Sequence, residues 1–105
     1  MDMKFDNYEL IINEINKNTE SLAKVNEKLA MITLTKEEEK LFNSLNEGYK
    51  NEGLFSKYLK EHQEEYKSYK NLYKYIKLFI KGLETNEKIS LLVNRISDEL
   101  VEDEE

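Results

Sequence analysis

The stretch LFNSLNEGYKNEGLFSKYLKEHQEEYKSYKNLYKYIKLFIKGL, residues 41–83, carries the strongest pattern in the chain. Its apolar residues recur at alternating steps of four and three, which is typical of a helix that presents one continuous face to other helices. Two glycines interrupt the pattern, and each costs a helix interior about 1 kcal/mol relative to alanine. Because the apolar pattern keeps the same phase on both sides of the glycines, we predict one long helix over about 36–83, with or without a kink at the glycines. The alternative is two helices joined by a loop. The seam positions are Leu41, Leu45, Gly48, Glu52, Phe55, Leu59, His62, Tyr66, Tyr69, Tyr73, Ile76, Ile80 and Leu83.

Capping residues mark the ends of the neighbouring helices. Thr35 and Glu38 form a T-x-x-E capping box, which predicts a helix start at Lys36. A first helix is predicted over about 6–33 because apolar residues follow the same spacing there. Gly82 is a typical helix end and Thr85 or Asn86 can cap the next helix, so a third helix is predicted over about 86–101. Residues 102–105 are expected to fray.

The lengths of these segments predict the architecture. The two outer helices together nearly match the middle segment, so both can fold back along it. The sequence therefore predicts an all-α fold, an antiparallel helical hairpin or bundle with coiled-coil-like packing, in one domain over 1–105. Folding back places Asn18 level with Gly48 and Glu52, which predicts a polar layer that sets the register, with a solvated kink as the alternative.

Composition excludes several classes of function. The chain has 105 residues, a net charge of −6 and no cysteine, so disulfides and thiolate catalysis are excluded. No signal peptide or membrane-length apolar run is visible, so we expect a cytoplasmic protein, in the host cytoplasm if the chain is phage-encoded. We do not expect it to bind a membrane. Without a glycine-rich phosphate loop or a nucleophile–base set, we predict a non-enzyme with no cofactor or metal.

A lysine stripe follows one flank of the seam. It consists of Lys67, Lys70, Lys74, Lys77 and Lys81. Interleaved with tyrosines, such a stripe suits phosphate groups, and this is the basis of an alternative function in association with nucleic acid. The other interpretation is internal neutralisation, because a folded-back third helix brings Asp98, Glu99 and Glu102 toward Lys67, Lys70 and Lys74.

Aromatic residues suggest both core and interface positions. Tyr66, Tyr69 and Tyr73 have core spacing. His62, the single histidine, is predicted to be buried and hydrogen-bonded to Tyr8 rather than to bind metal. Residues beside or opposite the seam are the candidate partner interface. These are Tyr49, Tyr58, Tyr75 and Leu78.

The leading functional prediction is a non-enzymatic helical protein–protein interaction module that forms a homodimer. A small acidic protein of this kind acts as an inhibitor or adaptor, for example a phage-encoded antagonist of a host nucleic-acid-processing or defence protein. Besides the nucleic-acid alternative, a structural or scaffolding coiled-coil subunit is a third reading of the same pattern.

Overall fold

A computed structural model describes the backbone of residues 3–104 and the side chains of residues 8–98. In that part of the chain all regular structure is helical, which confirms the predicted all-α class. Five helices follow one another along the chain: α1 (Met3–Ala30), α2 (Lys36–Gly48), α3 (Phe55–Glu61), α4 (Gln63–Tyr66) and α5 (Lys70–Glu104).

The capping box that begins α2 is present as predicted. The Thr35 hydroxyl accepts a hydrogen bond from the Glu38 backbone N–H at 3.1 Å, and Glu38 Oε1 accepts one from the Thr35 N–H at 2.9 Å. Both donors belong to a helix start, where no carbonyl is available to them. The first helix also lies close to its predicted bounds, although α1 ends at Ala30, before the predicted residue 33.

The single helix predicted over 36–83 is wrong. Its path is broken at 49–54 and again between Glu61 and Lys70. Asn51 and Gly53 have φ values of 58° and 81°, which no right-handed helix accommodates. The loop alternative is therefore correct for the first break, and the glycine at 53 is where a positive φ requires one.

The predicted boundary near Gly82 is also wrong. Helix α5 continues without interruption from Lys70 to Glu104, so the predicted third helix, 86–101, is its second half. Gly82 lies buried inside α5, and the cost of one glycine did not end the helix. The predicted fraying of 102–105 lies outside the described side chains.

The chain forms two compact units. Unit 1 comprises residues 1–24 and 85–105, and unit 2 comprises residues 25–84. Unit 2 contains a buried apolar cluster contributed by four helices, in which Leu59, Leu72 and Ile76 are fully buried. Burial of such side chains is the main favourable term for folding. The other buried members of the cluster are Leu45, Tyr66 and Ile80.

In unit 1 the described parts of α1 and α5 supply a smaller buried surface. Ile11 is 5% exposed, and Thr85 is 8% exposed. Leu22, Leu92 and Ile96 are half-buried. The apolar spacing of α1, predicted from the sequence, thus provides the buried side of this unit.

Candidate functional site

A cleft of about 290 Å³ opens on the surface of unit 2 where α3, α4 and α5 meet. Its walls are mostly apolar, and two of the residues that line it, Tyr66 and Ile80, are 2% and 8% exposed. The remaining walls come from Lys60, Gln63, Tyr73 and Lys77. An apolar depression with a few polar groups at its edge is the usual form of a binding site, and this one is at the small end of the range. We call it the Lys–Tyr cleft.

Hydrogen bonds fix the aromatic walls of the Lys–Tyr cleft. The Tyr66 hydroxyl donates to the Leu59 carbonyl at 2.9 Å, so its polar end is satisfied in the core. Burial raises the pKa of Tyr66, and the neighbouring Tyr73 raises it further. Gln63 Nε2 donates to the Tyr73 hydroxyl at 3.3 Å, which leaves the Tyr73 O–H able to donate toward the opening.

Two lysines at the edge of the Lys–Tyr cleft differ in whether a carboxylate pairs with their ammonium group. Lys60 Nζ pairs with Glu84 Oε2 at 2.8 Å. Lys77 Nζ lies 4.9 Å from the centre of the Tyr73 ring, and no described carboxylate pairs with it. The cleft therefore carries one neutralised and one unneutralised cation.

The lysine stripe is divided between a turn and a helix. Lys67 follows α4 and lies 3.8 Å from Glu64, and Lys81 is also engaged in an interaction. Lys70, Lys74 and Lys77 lie on α5 at helical spacing, and no ion pair to them occurs among the described side chains.

The predicted neutralisation of the lysine stripe by the C-terminal acids is wrong as argued. It required a turn near Gly82 so that the last helix could fold back along the lysines. No such turn exists, because α5 is continuous through this region. The side chains of Glu99 and Glu102 lie outside the described residues.

Aromatic side chains of unit 2 surround the candidate partner residues. Tyr49 contacts Phe55 and Tyr58, with ring centres 4.8 and 5.3 Å apart. Tyr75 packs against Phe42 at 5.5 Å. These tyrosines are half-buried, as is Leu78, so part of each remains on the surface. Their role in an interface stays a prediction.

His62 lies at the junction between α3 and α4. Its Nδ1 is 2.8 Å from the Tyr58 carbonyl, and its ring packs 4.1 Å from the Tyr58 ring. His62 is half-buried rather than buried, and its ring nitrogen contacts the Tyr58 carbonyl instead of the predicted Tyr8. Its Nε2 lies 3.8 Å from Glu65. No group of three or more potential metal ligands occurs among the described residues.

The predicted polar layer does not form a helical seam. Glu52 lies exposed in the loop after α2, and Gly48 is the last residue of α2. Asn18 is half-buried on α1, where its side chain donates to the Glu14 carbonyl at 2.8 Å. Asn18 belongs to unit 1 and the other two residues to unit 2.

A second cleft, of about 280 Å³, lies in unit 1 between α1 and α5. It is lined by Leu10, Ile11, Glu14, Leu92 and Arg95. Leu10 is 65% exposed, although it lies beside the apolar residues of this cleft. The sequence alone does not indicate this cleft, because neither Leu10 nor Arg95 belongs to a recognisable motif.

Comparison with known proteins gives no further guide to the site. No family model, curated protein or solved structure matches the chain. Within the described residues, no helix is both long and apolar enough to cross a membrane.

Proposed function

We propose that the chain is a non-enzymatic protein-interaction module and that the Lys–Tyr cleft binds an acidic segment of a partner protein that carries one large apolar side chain. The observation that carries the proposal is the apolar lining by Tyr66 and Ile80 beside the ammonium of Lys77, which has no carboxylate partner among the described side chains.

The size and walls of the Lys–Tyr cleft favour a side chain as its occupant. A volume of about 290 Å³ falls at the lower limit for small-molecule sites. An aromatic side chain offers a large apolar surface with few rotatable bonds, so it gains burial at a small entropic cost. Tyr73 offers it a half-buried ring that the hydrogen bond from Gln63 holds in place, whereas Tyr66 is almost fully buried and is held by its own hydrogen bond to Leu59.

The polar edge of the Lys–Tyr cleft favours an acidic partner. Lys77 supplies a positive charge, and Tyr73 supplies a hydroxyl donor within the same wall. A carboxylate that accepts from both forms charge-assisted hydrogen bonds, which are stronger than neutral ones. Lys70 and Lys74 extend the positive charge along α5 for further acidic residues.

Fluorescence polarisation tests the proposal with a labelled peptide that has one tryptophan between pairs of glutamates. We expect saturable binding, and Lys77→Gln and Tyr73→Ala should each weaken it about tenfold. Lys40→Gln on α2 is the matched control, because it removes an exposed lysine outside the cleft.

A second peptide separates cleft binding from general attraction of charges. It replaces the tryptophan by serine and keeps all four glutamates. Equal affinity for the two peptides, or no binding of the tryptophan peptide at about 100 µM, would exclude the proposed site. Equal weakening by Lys40→Gln and Lys77→Gln would exclude it as well.

Nucleic acid is the second candidate, because Lys70, Lys74 and Lys77 lack described carboxylate partners. Lysines without arginine offer no bidentate contacts to bases, which disfavours recognition of a base sequence. A labelled single-stranded oligonucleotide in the same assay tests this candidate. Binding that weakens steeply with salt and is lost in Lys70→Gln would favour it.

Binding of an acidic segment suits an adaptor or an inhibitor. When the cleft binds this segment, it covers a charged surface of the partner that the partner would otherwise use for another contact. The phage-encoded antagonist suggested by the sequence is one form of this proposal. Its partner would present acidic rather than basic residues to unit 2.

A further inference from the structure

The cleft in unit 1 lies beside apolar side chains that the described part of the chain does not cover. Leu10 and Leu91 are 65% and 62% exposed. Each stands four residues before a charged residue of the cleft, Glu14 on α1 and Arg95 on α5, so each shares the cleft side of its helix. The result is a surface with apolar residues on both helices and opposite charges beside them.

Both charges on this surface are unpaired among the described side chains. Arg95 is the single arginine of the chain, and Glu14 is exposed on the facing helix. The two line the same cleft without forming an ion pair. The two charges balance each other across the surface, and neither forms an ion pair with another described side chain.

We infer that this surface binds a second copy of the chain, with Glu14 of each copy paired to Arg95 of the other. A two-fold symmetric interface brings residue i against residue j and, equally, j against i. One acid and one base on the same patch therefore form two ion pairs across the interface, which leave no charge of the patch unpaired. An unrelated partner would need a matching acid and base of its own. Arginine suits this role because its planar guanidinium binds a carboxylate through two hydrogen bonds.

Burial gives the association its driving force. Leu10 and Leu91 would leave water together with the open side of the cleft, and burial of apolar surface favours association. Two helices of about 30 Å in length present a face of several hundred Å². That area is of the order of the ~800 Å² that each partner contributes to a standard interface.

Charge reversal with rescue tests the inference. Sedimentation equilibrium of the wild-type chain should give twice the monomer mass, and Glu14→Arg or Arg95→Glu alone should weaken the dimer at least tenfold. The double variant, Glu14→Arg with Arg95→Glu, should restore it, because the exchanged charges again pair between copies. Glu27→Arg is the matched control, since Glu27 is exposed on α1 about 20 Å along the helix from Glu14.

A wild-type chain that stays monomeric at about 100 µM would overturn the inference, as would a double variant as weak as the single ones. Circular dichroism of each variant checks that the helices remain. If a charge reversal unfolds the chain, cysteine pairing decides instead, since the chain has no cysteine of its own. Mixed Glu14→Cys and Arg95→Cys chains should form the mixed disulfide faster than either chain links to itself, and an equal rate for all pairs would contradict the proposed contact.

This inference stands apart from the proposed function. The charge reversals lie in unit 1 and the Lys–Tyr cleft lies in unit 2. Peptide binding should therefore survive in Arg95→Glu, and dimerisation should survive in Lys77→Gln, so each proposal fails or stands by its own measurement.

Discussion

At the residue scale, Glu38 makes more contacts than its place in a capping box predicts. It is 3% exposed, and its Oε2 accepts a hydrogen bond from the Leu72 backbone N–H at 2.7 Å. Leu72 is the third residue of α5, where the helix itself offers no acceptor to an N–H. One carboxylate therefore caps the starts of two helices and joins α2 to α5.

Removal of this carboxylate should destabilise unit 2. In Glu38→Ala the buried Leu72 N–H and the Thr35 N–H lose their acceptor, so we expect a loss of about 1–3 kcal/mol in the free energy of unfolding. Urea denaturation followed by circular dichroism measures it. Glu39→Ala is the control, since Glu39 is exposed in the same first turn and contributes only its charge near the helix start. Equal losses in the two variants would contradict the double-capping role.

Glu38 should also make stability depend on pH. Burial acts to raise the pKa of Glu38, but hydrogen bonds from Thr35, Leu72 and Asn71 outweigh it and lower the pKa below the ordinary 4.5. A lowered pKa in the folded state gives stability that is present above the unfolded pKa and is lost as pH falls through the folded one.

The comparison of the wild type with Glu38→Gln isolates this effect. The wild type should exceed the variant in stability by its full margin at neutral pH. That margin should shrink once the pH falls below about 4.5, because the protonated carboxyl no longer accepts as a carboxylate. Urea midpoints measured in steps of pH give the margin directly, and a margin that stays constant down to acid pH would show that the Glu38 charge contributes nothing.

Glu38 also shows how far a local signal extends. The contact with Thr35 spans three residues and follows from the T-x-x-E spacing. The contact with Leu72 spans 34 residues and depends on where two helices pack. Spacing rules describe the first kind of contact only, so the buried position of Glu38 was not foreseen.

At the element scale, the seven-residue pattern over 41–83 describes burial better than it describes continuity. Leu45, Leu59 and Tyr66 are buried as the seam requires, yet they lie on three different helices. Apolar spacing indicates which side of each helix faces the core. The phase of the spacing is the same before and after the loop by coincidence, so it does not show that the helix continues. The backbone at Asn51 and Gly53 breaks the helical path, so the cost of the two glycines indicates this break better than the unbroken phase indicates continuity.

Helix α3 begins without a side-chain cap. Its N-cap residue, Leu54, has the extended backbone that capping residues adopt, with φ −82° and ψ 134°, but leucine offers no acceptor. Leu54 is also 52% exposed, so little burial is lost on substitution. We expect Leu54→Asp to stabilise the chain by about 0.5–1 kcal/mol through a hydrogen bond to the first turn.

Thermal unfolding followed by circular dichroism measures this change. Leu54→Asn is the informative companion, because it can cap the helix without adding charge and should retain most of the gain. Leu54→Ala removes the same leucine surface and offers no cap. A gain in Leu54→Ala equal to that in Leu54→Asp would show that capping is not the cause.

At the scale of the whole molecule, the sequence predicts fold class and helix faces well and tertiary placement poorly. The face of α5 that carries Tyr73 and Lys77 was recognised, since both lie on one helix. Lys60 and Gln63 complete the Lys–Tyr cleft from α3 and α4, and their approach to α5 depends on chain reversals that were not predicted. The predicted antiparallel fold-back after Gly82 failed for the related reason that α5 continues there.

Burial is unequally distributed between the two units. Most of the strongly buried apolar residues of the described chain belong to unit 2, whereas Ile11 is the one in unit 1. Opening of a structural unit exposes its buried surface, so units with less burial open at a lower free energy. Backbone amides of α5 at residues 72–80 should therefore exchange with solvent more slowly than those at residues 88–96.

Hydrogen exchange measured at two protein concentrations tests whether dimer formation protects the backbone amides of unit 1. A ligand that binds only the folded form adds to stability in proportion to the logarithm of its concentration, and here the ligand is a second copy. Raising the protein concentration should therefore slow exchange in unit 1, at residues 8–24 and 88–98, and leave residues 72–80 unchanged. In Arg95→Glu the concentration effect should vanish while the order of the two segments of α5 remains. If exchange in unit 1 of the wild type is independent of concentration, Leu10 and Leu91 are not covered by a second copy, and the lower protection of unit 1 reflects its small buried surface alone.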